Sequence, residues 1–203
     1  MSWNTLANQE SIEKTISALK INGIEGIAVA DGAAAIAKVK ELIPEGSEVM
    51  TMTSVTADTI GLTQLINESG KYNAVKPKLY ALDPNTQKRE QKQMGAAPEY
   101  SVGSVHAVTE DGKVLIASNT GSQLPGYVYG SDHVIWVVGA QKIVKDINAA
   151  FKRVEEYTLP LESERAHKAY GMERSNISKV LIVNKEVTAG RITLIFINEV
   201  LGF

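Results

Sequence analysis

The run HVIWVVG, residues 133–139, leaves this chain few folds to adopt. A strand with one wet face alternates apolar and polar residues, whereas this run is apolar from Val134 to Val138. Read as a strand, it must be covered on both faces, as in a mainly parallel sheet flanked by helices. KVLIAS (113–118) has the same uninterrupted, β-branched character. The expected fold is therefore α/β: one open, mainly parallel sheet with helices on both faces. Both runs should be central, with the helical segment 141–157 packed against them.

The rest of the chain alternates in the same way. Segment 8–22 sets Ile12, Ile16 and Leu19 at helical spacing, with Gly23 as a stop. IEGIAVA (24–30) reads as a strand, and Asp31 as the cap of GAAAIAKVKELI. SEVMTM (47–52) is a short strand, and 56–69 reads as one helix with Ile60 and Leu65 inward. Asp83-Pro84 reads as a cap and first position for the charged segment NTQKREQKQM. SVGSVHAV and KVLIAS read as strands joined by Thr109-Glu110-Asp111-Gly112, where Asp-Gly signals a tight turn. Val144, Ile147, Phe151 and Val154 keep helical register within 141–157, and SKVLIVN and RITLIFIN are the last strands. No linker or repeat divides residues 1–203, so a single domain is expected, with helix 8–22 as an appendage.

Charge and cysteine usage bear on partners. A formal net charge of -2 provides no basic face for nucleic acid or an anionic membrane. No apolar run reaches transmembrane length, and MSWNTLANQESIEK lacks the basic and apolar regions of a signal peptide. Cysteine is absent, which removes disulfides, thiol nucleophiles and cysteine-held iron–sulfur clusters. A cytoplasmic location and no cofactor are the expectations.

Ligands of open α/β sheets bind beyond the carboxyl ends of strands, where loops enter helices. Two loops meet that description. The first follows strand 47–52, where Thr53, Ser54 and Thr56 offer hydroxyls and backbone N–H groups to an anion. A simpler reading is that Ser54 or Thr56 only caps the next helix. The second lies in ASNTGSQLPGYVYG (117–130), where Asn119, Thr120, Gly121, Ser122 and Gln123 form a small-residue loop open to close backbone approach. An ordinary strand-to-helix turn explains those residues equally well. Gly121 and Gly126 have P-loop spacing, but Tyr127-Val128 stand where lysine and a hydroxyl residue are required. An ATPase is excluded on that ground, and G-x-G-x-x-G is missing there too. Lys142 falls just inside the expected helix, where a cation could reach an anion, though a surface role is simpler. His106, His133 and His167 lack metal-ligand spacing, so no metal site is expected. Glu110 and Asp111 read as turn formers, and the charges from Lys88 to Lys92 as a wet helix face.

The stretch from Gly103 to Val154, followed by YTLPLESERAHKAYG and RITLIFINEVLGF, resembles the LUD domain family of lactate-utilisation-type proteins, B and C kinds. The resemblance implies a fold like that of sugar-phosphate isomerases and CoA transferases, the NagB/RpiA/CoA-transferase-like class. It also implies that the loops Thr53–Thr56 and Asn119–Gln123 converge on the ligand. Relatives carry Gly-Gly-Ser-x-Thr in the first loop, whereas this chain has Met52-Thr53-Ser54-Val55-Thr56, which narrows backbone access. Some relatives hold iron–sulfur centres through cysteine; here a redox role would need a partner subunit.

The function implied is utilisation of lactate or a related organic acid, with a small anionic metabolite bound at the two loops. One alternative is an isomerase, transferase or cyclo-ligase using Glu110 or Glu199 as base or nucleophile. Another is a non-catalytic accessory subunit of an oxidoreductase complex, and homo-oligomerisation stays open. Thr56 and Ser122 should then face one pocket near helix N-termini, beside the amides of Asn119 and Gln123.

Overall fold

The computed structural model describes residues 3–203. Its strands are β1 (Glu25–Val29), β2 (Glu48–Thr51), β3 (Asn73–Ala74), β4 (Tyr100–Gly103), β5 (Ala107–Thr109), β6 (Val114–Ser118), β7 (His133–Gly139), β8 (Ile143–Val144), β9 (Lys179–Val183) and β10 (Ile192–Ile197). The α-helices are α1 (Gln9–Ile21), α2 (Gly32–Leu42), α3 (Val55–Thr59), α4 (Leu62–Glu68), α5 (Val75–Ala81), α6 (Lys88–Ala96), α7 (Ile147–Arg153) and α8 (Leu159–Tyr170). Six strands form a parallel sheet in the order β1-β10-β7-β4-β2-β3. The other four form a mixed sheet, β8-β5-β6-β9.

HVIWVVG is β7, an interior strand between β10 and β4. Its alternate residues serve two cores. Ile135 and Val137 pack with Ala35, Val39, Leu62 and Ile66 of α2 and α4. Val134, Trp136 and Val138 pack on the opposite face with Leu19, Val114, Ile116 and Phe196. Both faces are dry, which is why no polar residue interrupts the run.

KVLIAS departs from expectation, because β6 belongs to the second sheet rather than lying beside β7. Val114 and Ile116 face the parallel sheet, while Leu115 and Ala117 face Ala150 and Val154 on the other side. A strand covered by a sheet on one face and a helix on the other has the same composition as one covered by two helices. Two sheets stacked face to face thus replace the single sheet expected from sequence.

Three further boundaries differ for local reasons. Gly61, at φ +77°, breaks segment 56–69 into α3 and α4, and Leu62 and Ile66 become the deeply buried residues. Segment 141–157 is a 3₁₀ turn (Ala140–Lys142), then β8, and only then α7, which Asp146 starts by accepting from Ala149 N at 2.9 Å. Asp83 accepts from Asn85 N and Thr86 Oγ1 in a local turn, so α6 begins later, at Lys88. The helix α1 packs closely on the fold: Leu19 is fully buried, and a Cβ on Gly112 would lie 2.6 Å from the Ala18 backbone. No helix of the described residues is long and apolar enough to cross a membrane.

Candidate functional site

Neighbouring strands β2, β4 and β7 run parallel, so the loops after them emerge together at their carboxyl ends. Those loops bring Thr56, Ser104 and Lys142 into one cluster. Lys142 Nζ lies 3.1 Å from Thr56 Oγ1, 3.2 Å from Ser104 Oγ and 3.1 Å from the Val105 carbonyl. Thr56 passes its own hydrogen to the Leu201 carbonyl at 3.1 Å, so towards Lys142 it accepts. All three residues line a cleft of about 490 Å³. The opposite walls come from the loop after β6 and from α8, which contributes Glu162, Arg165, Ala166 and Tyr170.

Lys142 is not at the surface, contrary to the simpler expectation from sequence. It is only 2% exposed and makes no ion pair among the described residues. Burial first, then the Arg153 charge, hold its ammonium well below the ordinary lysine range. Arg153 is fully buried and also lacks a carboxylate partner, donating instead to the His106 carbonyl at 2.7 Å and Thr158 Oγ1 at 3.2 Å. Desolvation lowers it to about 10, so it keeps its charge at neutral pH. Buried charges are ordinarily paired. Neither basic group has such a partner: Lys142 lines the cleft, and Arg153 lies behind its wall, on the His106 carbonyl.

His106 stands in the same wall. Its Nδ1 accepts from Ala117 N at 3.1 Å, which requires a neutral ring with the proton on Nε2. Burial, then Lys142 and Arg153, push its pKa down to about 3. Arg165 is held by both oxygens of Glu162, each contact 2.7 Å, and sits 5.5 Å over the Tyr170 ring. That carboxylate hydrogen bond, foremost, raises the guanidinium above its usual range.

Of the residues singled out from sequence, Thr53, Ser54, Thr56, Asn119, Thr120, Ser122, Gln123 and Lys142 line this cleft together. Their individual roles differ. Ser54 caps α3 through Ala57 N at 3.2 Å, and Thr53 meets Lys76 Nζ at 3.5 Å. In the second loop Ser118 Oγ bonds Gln123 Oε1 at 2.9 Å and accepts from Gly121 N at 2.8 Å. Thr120 and Ser122 bond each other at 3.1 Å. Gly121 does not line the cleft; its φ of +87° makes the turn. Helix dipoles contribute little here, since α3 spans five residues and a π turn, Gly126–Gly130, follows the second loop. Fixed positive charge comes from side chains instead.

Neither glutamate candidate lines the cleft. Glu110 accepts from Lys14 Nζ and Ser11 Oγ, each at 2.7 Å, and that pairing holds it below the usual carboxylate range. Glu199 accepts from Gly32 N at 3.2 Å, at the start of α2. Neither carboxylate is placed to reach a ligand in this cleft. Sequence reasoning missed Ser104, His106, Arg153, Glu162, Arg165 and Tyr170. Glu162, Arg165 and Tyr170 do fall inside the distinctive YTLPLESERAHKAYG stretch, whose charges were the available signal. Among the described residues no three His, Cys, Asp or Glu side chains are grouped to hold a metal ion.

The LUD domain model matches residues 12–197 of the chain. The crystal structure of a DUF162 family protein from Deinococcus radiodurans superposes with a TM-score of 0.60 at 10% sequence identity. The match covers 96% of this chain and 100% of that one, a likeness of fold alone. No curated protein matches the sequence.

Proposed function

Since the chain belongs to the LUD domain family, we propose that it serves the utilisation of lactate or a related organic acid. The site is the cleft beyond β2, β4 and β7, and the ligand is a small anionic metabolite. One observation carries this reading: two buried basic side chains, Lys142 on the cleft and Arg153 behind its His106 wall, have no carboxylate beside them. An anion in the cleft would supply the missing charge, with hydroxyls and amides of the loops 53–56 and 118–123 as additional donors. The finer fold assignment, to the class of sugar-phosphate isomerases and CoA transferases, belongs to the same reading. Its support is that both suspected loops border one cleft. With no cysteine to ligate an iron–sulfur cluster, electron transfer through such a centre would fall to a partner subunit.

The test is calorimetric titration with lactate, pyruvate, sugar phosphates, folates and CoA esters, on wild type and Lys142→Met. At least one anion should bind, and the variant should bind it about tenfold or more weakly, a loss of roughly 1.4 kcal/mol. Equal affinity in a well-folded variant would remove the cleft floor from the function.

A further inference from the structure

Building on the anion-site reading, we propose that Lys142 captures the carbonyl carbon of a small oxo acid as an imine. The surroundings of Nζ set its protonation. The Val105 carbonyl can only accept, and Thr56 also accepts because its hydrogen is committed to Leu201. Ser104 Oγ lies 3.2 Å from Nζ, and the contacts open to its own hydrogen are long, 3.4 Å to Thr56 Oγ1 and 3.5 Å to the Val105 carbonyl, so the hydroxyl can turn to donate to Nζ. Two N–H bonds therefore fix the amine, and its third position meets a hydroxyl. A neutral amine fits this arrangement with its lone pair towards Ser104. A carboxylate neighbour would have locked the group as ammonium, and none is there. The lowered basicity of Lys142 agrees with the geometry.

The substrate class follows from joining this amine to the rest of the cleft. An oxo acid brings both a carboxylate for the loop hydroxyls and amides, with the Arg153 charge behind the His106 wall, and a carbonyl for the amine to attack. A hydroxy acid brings only the first, so it would bind without reacting. In the step itself, the Nζ lone pair forms the C–N bond and the carbonyl π pair moves to oxygen. Oxygen takes up a proton and nitrogen gives one up, with Ser104 placed to relay it. The carbinolamine then loses its hydroxyl, protonated, as water, and a C=N bond remains. Water entering the open cleft reverses the sequence. Nothing is oxidised.

The experiment is trapping with pyruvate and sodium cyanoborohydride, which reduces any imine to a stable N-(1-carboxyethyl)lysine, followed by peptide mapping. A parallel melting curve with lactate reads anion binding alone. The expected adduct at Lys142 exceeds that at the exposed Lys88, Lys92 and Lys185 by about tenfold or more. Lys142→Arg should lose it while Lys185→Arg keeps it. Should Lys142→Arg fail to fold, the wild-type map still decides. Labelling at Lys142 no greater than at the exposed lysines, with lactate still raising the melting temperature, would overturn covalent capture and leave the anion site standing. Neither trapping nor a lactate shift would overturn both.

Discussion

His106 shows how one side chain can report on the state of the cleft wall. Its Nδ1 accepts a backbone hydrogen, and two cations lie nearby, so the folded protein resists its protonation down to about 3. An unfolded chain takes that proton near pH 6.5. The folded pKa is thus below the unfolded one for a base, so this contribution is intact above pH 6.5 and is lost as pH falls towards 3. An asparagine side chain would offer its Oδ1 to the same N–H and has no proton to gain. His106→Asn should therefore flatten the pH dependence of stability, by about 1–2 kcal/mol between pH 6.5 and 5. Urea midpoints of the two proteins across that range check it; parallel curves would place the titrating group elsewhere. Lys142 makes a complementary case. Burying the polar amine of Lys142 with no ionic partner is costly, so Lys142→Met should raise the melting temperature while weakening anion binding. A lower melting temperature would mean that its three hydrogen bonds contribute more than its burial costs.

At the scale of elements, the loop 118–123 answers to its glycine. Gly121 has φ +87°, its N–H bonds Ser118 Oγ, and its carbonyl accepts from Leu124 N at 3.1 Å. A Cβ there would come within 2.7 Å of Lys179 Cδ, a contact the flexible lysine can relieve. The positive φ cannot be relieved, so Gly121→Val should cost about 1–3 kcal/mol of stability. It should also displace Ser118 and Asn119, weakening anion binding about tenfold. Calorimetry beside a melting curve reads both; unchanged affinity would leave the loop as a turn with no part in binding. The same loop shows what was legible in sequence. Small residues after an apolar strand mark a turn, since that pattern is local, and this turn borders the cleft. Lys142 is not legible in the same way, because its spacing reads as the start of a helix. Only the pairing of Ile143-Val144 with β5 pins it inward. Arg153 reads as one more charge on a helix face. Its burial comes from the segment leading into β5 and the π turn, Val154–Thr158, closing over it, contacts that no local spacing encodes.

The whole molecule depends on β6 standing between two cores. The apolar periodicity of β7 and β10 reveals a doubly covered sheet, yet it does not say whether KVLIAS joins that sheet or lies across it. Lying across it, β6 gives Ile116 to the core shared with Trp136 and Phe196, and Leu115 to the core under α7. Both side chains are fully buried, so each truncation to alanine leaves a cavity and should cost about 2–5 kcal/mol. If the two sheets fold as one domain, Leu115→Ala and Ile116→Ala must lower the same cooperative transition, because neighbouring residues of one strand anchor both layers. In a Trp3→Phe background, needed because Trp3 packs against the core under α7, tryptophan fluorescence follows Trp136 in the inner core, while far-ultraviolet circular dichroism follows the chain as a whole. For wild type and both variants, the two probes should give coincident urea curves with a common slope. Separate midpoints, with Leu115→Ala shifting only the dichroism, would mean the second sheet and α7 unfold as an independent unit. The cleft would then be built across a boundary between units, since Ser118 and Arg165 would move apart from Thr56 and Ser104.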